Sequence, residues 1–329
     1  MISTEPNQSI EVDGLSKIYG TKSAIKDISF TVQTGEILGF LGPNGAGKTT
    51  TMRILAGYLP ASTGTARIAG YDVHSESMEV RQRIGYLPEN PPLYPEMTVE
   101  GFLHFVAKIK GVSPGQRSSR VDEVLERCNL TEYRQLQIRK LSKGMKQRVG
   151  IAQAIVHDPP VIILDEPTIG LDPKQIIDVR NLIKSLAGQH TIILSTHILP
   201  EVSMTCDRVT IINRGKVVTT NTPETLMAEL AGGTGYELEI DGNPIEIQKM
   251  LQILPGICLV EVASNYGLPG DRSLLRLVCS PGAEPGRDIA AVVVGANRGL
   301  YEMRRTRASL EDVFLDLTTK ELDVTENKE

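Results

Sequence analysis

Glu36–Thr50 reads EILGFLGPNGAGKTT, and this stretch decides the fold. Its opening, EILGFL, is a short apolar run of the kind that forms a buried strand. The run passes directly into Gly42-Pro43-Asn44-Gly45-Ala46-Gly47-Lys48-Thr49, with Thr50 next, and so fits G-x-x-x-x-G-K-[ST]. Glycines let the backbone curl until successive N–H groups turn inward on phosphate oxygens. A helix starting near Lys48 adds the partial positive charge of its N-terminus. In this arrangement Lys48 reaches the β- and γ-phosphates, and the Thr49 hydroxyl is a Mg²⁺ ligand. Taken alone, the loop supports a nucleoside triphosphate site and nothing narrower.

Three further segments carry chemistry. Val161–Glu166, VIILDE, brings two carboxylates to the end of a continuous apolar strand. In an open α/β sheet that end is where ligands bind. Asp165 suits Mg²⁺ or its water, and Glu166 suits orienting and deprotonating an attacking water. Without the upstream loop, a strand leaving into solvent would explain both acids. Leu141–Arg148, LSKGMKQR, has Ser142 as a good N-cap. It reads as a second anion-binding helix start or, in isolation, as a plain capped helix. His197 follows the strand TIILST; a neutral imidazole beside a γ-phosphate could position water or sense the phosphate.

Around these motifs, strands alternate with helices. Ile10–Leu15, Lys26–Val32 and Thr191–Ser195 read as strands, and about Pro91 to Arg139 reads as mostly helical. Lys174–Ala187 reads as a helix, and Arg208–Asn213 and Lys216–Thr220 as a hairpin turning at Arg214-Gly215. This is α/β grammar and implies a mostly parallel sheet with helices on both faces. Residues 1–8 read as a flexible tail and AGGTG, 231–235, as a linker. That spacing gives one domain over 9–230, with a helical subdomain over about 90–150, and another over 236–329. After the linker the order is β-α-β-β-α-β, with a turn-rich NYGLPGDR, which implies a small α+β ferredoxin-like domain. ASLEDVFLDLTTKE, opened by Ser309 and Asp312 as a near-capping box, implies a last helix.

The whole chain agrees with a globular reading. Its 329 residues are 40% hydrophobic and 23% charged. A formal charge of −5 and only 4% aromatic residues argue against a partner nucleic acid. Cys128, Cys206, Cys258 and Cys279 form no CxxC pair, so reduced thiols are expected in place of a metal site or disulfides. The polar N-terminus has no apolar core of a signal peptide, and no apolar run is long enough for a membrane span.

The ordered set GPNGAGKTT, LSKGMKQR, VIILDEPT, GLDP and STH resembles the nucleotide-binding subunits of ABC transporters over about residues 10–230. The resemblance implies a P-loop NTPase core with an ABC-type helical subdomain, hydrolysing ATP with Mg²⁺. It implies two ATPase subunits paired head-to-tail, identical or different. The P-loop of one then faces Ser142 and Gly144 of the other, and Asp172 links the two sites. It implies that Tyr19 stacks on adenine, a role that competes with that of a half-buried strand-end tyrosine.

Two positions depart from the family pattern. Lys143 and Met145 replace Gly and Gln in the signature, and Glu89 stands where Gln is usual. Glu89 is therefore either a Mg²⁺ ligand or a contact on the permease side. The ending SLEDVFLDLT and the stretch GYLPENPPLYPEMTV resemble the gliding-motility and multidrug-export branch, which implies an integral-membrane permease as partner and export as the direction. The expected location is then cytoplasmic, peripheral on the inner face of the cell membrane. The rival readings are a soluble ABC-type ATPase without a permease and a non-catalytic nucleotide-binding regulator. The chain has neither the second P-loop nor the sustained heptads usual in the soluble class.

Overall fold

The computed structural model describes residues 8–226, 233–263 and 272–307. The chain divides into two units, Met1–Asn221 and Thr222–Glu329. The first opens with a hairpin of β1 (Gln8–Tyr19) and β2 (Lys22–Gln33). Then β3 (Ile37–Leu41) leads into α1 (Lys48–Leu55). Next come β4 (Thr63–Ile68), β5 (Tyr71–Asp72), α2 (Ser77–Arg83) and β6 (Ile84–Leu87). The helical stretch holds α3 (Val99–Ile109), α4 (Arg117–Arg127) and α5 (Lys143–Ile155). The unit closes with β7 (Val161–Asp165), α6 (Pro173–Leu186), β8 (Thr191–Thr196), α7 (Leu199–Thr205), β9 (Arg208–Asn213) and β10 (Lys216–Asn221).

Two sheets, not one, carry these strands. The larger has the order β10-β9-β3-β8-β7-β6 and is parallel except for the β9–β10 hairpin. Every residue of β3, β7 and β8 is buried. Parallel strands covered on both faces need such unbroken apolar runs, and each fully buried Leu or Ile contributes about 1.5–3 kcal/mol. The first two strands fall outside the expected parallel sheet. They join an antiparallel sheet of order β2-β1-β4-β5. Buried Ile10, Val12 and Leu15 of β1 interleave with exposed residues, as in a sheet with one face on the core. The expected tail also ends one residue sooner, because Gln8 already belongs to β1.

The second unit contains β11 (Gly233–Asp241), α8 (Pro244–Gln252), β12 (Ile257–Ala263), β13 (Arg272–Pro281), α9 (Gly286–Gly295) and β14 (Leu300–Arg307). The strand order β12-β13-β11-β14, antiparallel throughout, is the split arrangement expected from β-α-β-β-α-β. Tyr236, Leu238, Ile240, Leu275 and Leu277 form its core with Ile247 and Leu251 of α8 and Ile289 and Val293 of α9. Gly233–Gly235 are strand residues of β11, so three of the five residues of the expected AGGTG linker pair in a sheet. Residues 1–7, most of the NYGLPGDR turn and the expected closing helix lie outside the described residues.

Candidate nucleotide site

The larger sheet brings its functional residues to one end. The pairs Leu41↔Thr196, Asp165↔Ser195 and Leu87↔Leu164 put the exits of β3, β8, β7 and β6 side by side. The Gly42–Thr49 loop leaves β3 there, Glu166 follows β7, His197 follows β8 and Glu89 lies two residues past β6. Thr51 Oγ1 donates to Gly47 O at 3.0 Å, and Thr51 N to the same carbonyl at 2.9 Å, which fixes the first turn of α1 to the loop.

A cleft of about 920 Å³ opens over this end. Asn44, Gly45, Gly47, Lys48, Thr49 and Thr50 line it, with Tyr19, Glu89, Glu166 and His197. Gly42, Pro43 and Ala46 complete the loop without lining the cleft. Lys48 is buried, and its Nζ donates to Gly42 O at 2.7 Å and Pro43 O at 3.3 Å. The same ammonium lies 3.4 Å from Glu166 Oε1. The other Glu166 oxygen, Oε2, lies 2.9 Å from His197 Nδ1. Glu166 has a positive φ of 52°, a conformation that costs a side-chain-bearing residue about 1–3 kcal/mol and clusters at functional sites. Its N–H donates to Ser195 O at 2.9 Å, so β8 anchors the strained position.

Asp165 precedes Glu166 at the end of β7 and does not itself line the cleft. It is fully buried, and Oδ1 accepts from Ser195 Oγ at 2.9 Å. Burial holds its carboxyl above the usual carboxylate range, opposed by hydrogen bonds from the Ser195 and Thr49 hydroxyls. Its second oxygen, Oδ2, is buried without a hydrogen-bond partner. A buried, half-satisfied carboxylate beside a threonine hydroxyl is the oxygen donor set that a hydrated Mg²⁺ takes. The residues present therefore fit that ion.

Beyond the loop residues already named and Asp165, the expected Ser142, Gly144 and Asp172 also lie outside this cleft. Ser142 caps α5, its Oγ accepting from Met145 N at 3.3 Å. Gly144 lies against Gln175, and Asp172 caps α6 by accepting from Gln175 N at 2.9 Å. Gln175 joins the N-terminal ends of α5 and α6, with Ser142 and Asp172 exposed at the caps and Gly144 buried beneath the Gln175 side chain. Tyr19 is half exposed at the rim, with Lys17 Nζ 5.3 Å from its ring centroid. Sequence reasoning missed Lys22, Ser23, Ala24, Lys26 and Arg214, which also line the cleft. With Lys48 they give it four cations. Only the Arg214-Gly215 turn left a local signal, and that signal was for a hairpin.

A parallel sheet ending in a glycine loop, a buried lysine and paired carboxylates defines a P-loop nucleoside triphosphatase. A family model described as ABC transporter matches residues 25–169. The linearmycin resistance ATP-binding protein LnrL of Bacillus subtilis is 37% identical over 235 residues, 71% of this chain and 75% of that protein. The Nod factor export ATP-binding protein I of Paraburkholderia xenovorans is 37% identical over 318 residues, 96% of this chain and 99% of that protein. Among solved structures, cbiO1 from Clostridium perfringens, part of the ABC transporter complex cbiONQ, superposes with a TM-score of 0.63 at 30% identity, covering 68% of this chain and 92% of that one. The chain belongs to the ATP-binding subunits of ABC transporters and is an ATPase. Among the described residues no helix is long and apolar enough to cross a membrane.

Proposed function

We propose that the cleft binds ATP with its phosphates on the Gly42–Thr49 loop and its adenine on Tyr19. Lys48 is within reach of the β- and γ-phosphates once its ammonium leaves the Gly42 and Pro43 carbonyls. Thr49 and Asp165 would hold Mg²⁺, with Glu89 as a further carboxylate at the rim; when bound, the ion offsets phosphate charge. Glu166 takes the proton of the attacking water, and His197 fixes the carboxylate that does so. The observation that carries this reading is the double tether of Glu166, between Lys48 on one oxygen and His197 on the other.

In this reading a second ATPase subunit closes the cleft with its own Ser142 and Gly144, while Asp172 lies at the contact between the two sites. The machine then works through a separate membrane permease, at the inner face of the cell membrane. The names of the two relatives, one a resistance protein and one an export protein, favour export.

Turnover by purified Glu166→Gln protein tests the assignment. The expected loss is about 10²–10⁴-fold, with ATP-dependent dimerisation retained in sedimentation. Hydrolysis at the wild-type rate would remove Glu166 from the role of base. A pull-down from solubilised membranes tests the partner. Recovery of a polytopic membrane protein supports the transporter reading; recovery of ribosomes instead overturns it.

A further inference from the structure

The exposed caps Ser142 of α5 and Asp172 of α6 are joined inside the chain by contacts that the sequence motifs do not explain. Helix α5 is tied to the sheet at its far end, where residues 156–160 lead into β7. Its near end, at Ser142, is braced against α6. A Cβ on Gly144 would lie 2.6 Å from the Gln175 side chain, so that side chain packs directly on the α5 backbone. One turn further, Arg148 Nη2 lies 2.7 Å from Asp178 Oδ2. Gly144 and Arg148 are four residues apart, and Gln175 and Asp178 are three apart. Each pair therefore shares one helix face, and the two faces meet in register. Lys143 Nζ adds a third contact by lying across Gly170, where a Cβ would be only 2.1 Å away.

Arg148 also reaches a third helix. Its Nη1 donates to Cys128 O, 3.3 Å away, at the C-terminal cap of α4. One guanidinium thus joins the end of α4, the near end of α5 and the first turns of α6. From α6 a short chain of hydrogen bonds leads back to the catalytic turn. Gln175 N donates to Asp172 Oδ1, Leu171 N to Thr168 O at 3.1 Å, and Ile169 N to Glu166 O at 3.2 Å.

We propose that Arg148 and Asp178 are a positioning pair, which transmits the setting of the Ser142 end of α5 to the turn that carries Glu166. Occupancy of the Ser142 surface by ATP on a second subunit then governs hydrolysis at this chain's own Glu166. The proposal rests on the two-subunit reading above. Neither residue lines the cleft; both act through the Glu166 turn, over a contiguous set of packed and hydrogen-bonded groups.

The test uses the full chain and the variant Asp178→Asn. Asp178 has a side chain 41% exposed, and Asn keeps its shape, so folding should be preserved. The expected result is a fall in kcat of about tenfold or more with KM for ATP within about twofold, because an interaction used only in turnover has been removed. The Hill coefficient for ATP should drop from near 2 to about 1. The charge swap Arg148→Asp with Asp178→Arg should recover kcat above either single variant. Wild-type kcat and Hill coefficient in Asp178→Asn would overturn the proposal, as would a swap no better than the singles. ATP-dependent dimerisation of Glu166→Gln separates the two levels. If that protein stays monomeric with ATP, the two-subunit reading itself fails; if it dimerises while Asp178→Asn behaves as wild type, the positioning pair alone fails.

Discussion

Glu166 and His197 meet through Oε2 and Nδ1 at 2.9 Å, at the exits of neighbouring strands. An ionised carboxylate has only acceptors, so Nδ1 carries the shared hydrogen and Nε2 is the free nitrogen of the ring. Because Glu166 also has a strained backbone, the imidazole is one of few groups that fix its side chain. Substituting His197→Ala should lower kcat by about a hundredfold. ATP affinity should stay within about twofold, because the Gly42–Thr49 loop is untouched. Steady-state turnover together with titration of a fluorescent ATP analogue checks both parts. Equal losses in affinity and kcat would argue that His197 holds nucleotide instead.

Asp165 gives a stability prediction with a definite sign. Its folded carboxyl is raised by burial, so the folded state prefers the neutral acid. The associated stability is present at low pH and lost as pH rises through the folded value. Asp165→Asn removes the buried charge. At pH 7.5 and without nucleotide, the variant should be more stable than the wild type, by a gap that narrows as the pH is lowered. The same variant should lose turnover, and MgATP should raise its Tm less than that of the wild type. A lower Tm for the nucleotide-free variant at pH 7.5 would contradict this account.

The loop glycines should differ in cost. Gly47 has φ 107°, and a Cβ there would lie 2.6 Å from Ile25 Cγ2 and 2.8 Å from Ala24 O. Gly45 has φ 82° with nothing within 4 Å of the same position. Gly45→Ala therefore meets only the left-handed backbone penalty, about 1–2 kcal/mol. Gly47→Ala adds overpacking against β2 and should exceed it by about 1–3 kcal/mol. Urea denaturation of the two variants measures the difference directly, and equal destabilisation would refute it.

His157 predicts acid sensitivity away from the cleft. Burial, aided by the charge of Lys110, pushes it down to about 4. Its Nε2 lies 3.0 Å from Ile84 O, a carbonyl that also accepts from Lys110 Nζ at 3.0 Å. Folding therefore favours the neutral ring. Stability is intact above the unfolded value of 6.5 and is lost as pH falls from there toward 4. At pH 5 the loss should be about 2 kcal/mol. Comparing unfolding free energies at pH 7.5 and 5, His157→Gln should lose less stability than the wild type by about that amount. Identical losses would place the acid sensitivity in other groups.

The sequence revealed those parts of the site that one segment builds alone. Strand, loop and helix around Gly42–Thr49 are contiguous, and Asp165 and Glu166 end an apolar run whose burial is dictated by its composition. The cations Lys22, Lys26 and Arg214 could not be found that way. They reach the cleft only because a two-stranded hairpin and the tip of another fold against the loop, and nothing in TKSAIK marks that encounter. For the same reason the division into two sheets was hidden. β4 and β5 are short, and only pairing, of β4 with β1 and of β5 with β4, identifies them as strands. Gly233–Gly235 read as a break because glycine is common in linkers, whereas here β13 and β14 pair with it on either side.

The β9–β10 tip has one more consequence, for how the molecule is assembled. Gly215 N donates to Ala46 O at 2.9 Å, and Gly215 O accepts from Lys26 N at 2.7 Å. A Cβ at Gly215 would lie 2.7 Å from Ala24 O, so the tip sits tightly against β2. The phosphate loop is thus stitched to the last hairpin of its unit. Such distant contacts form late in folding. A chain growing from its N-terminus would hold every nucleotide motif before it had a finished cradle, and would gain one only when the hairpin docked.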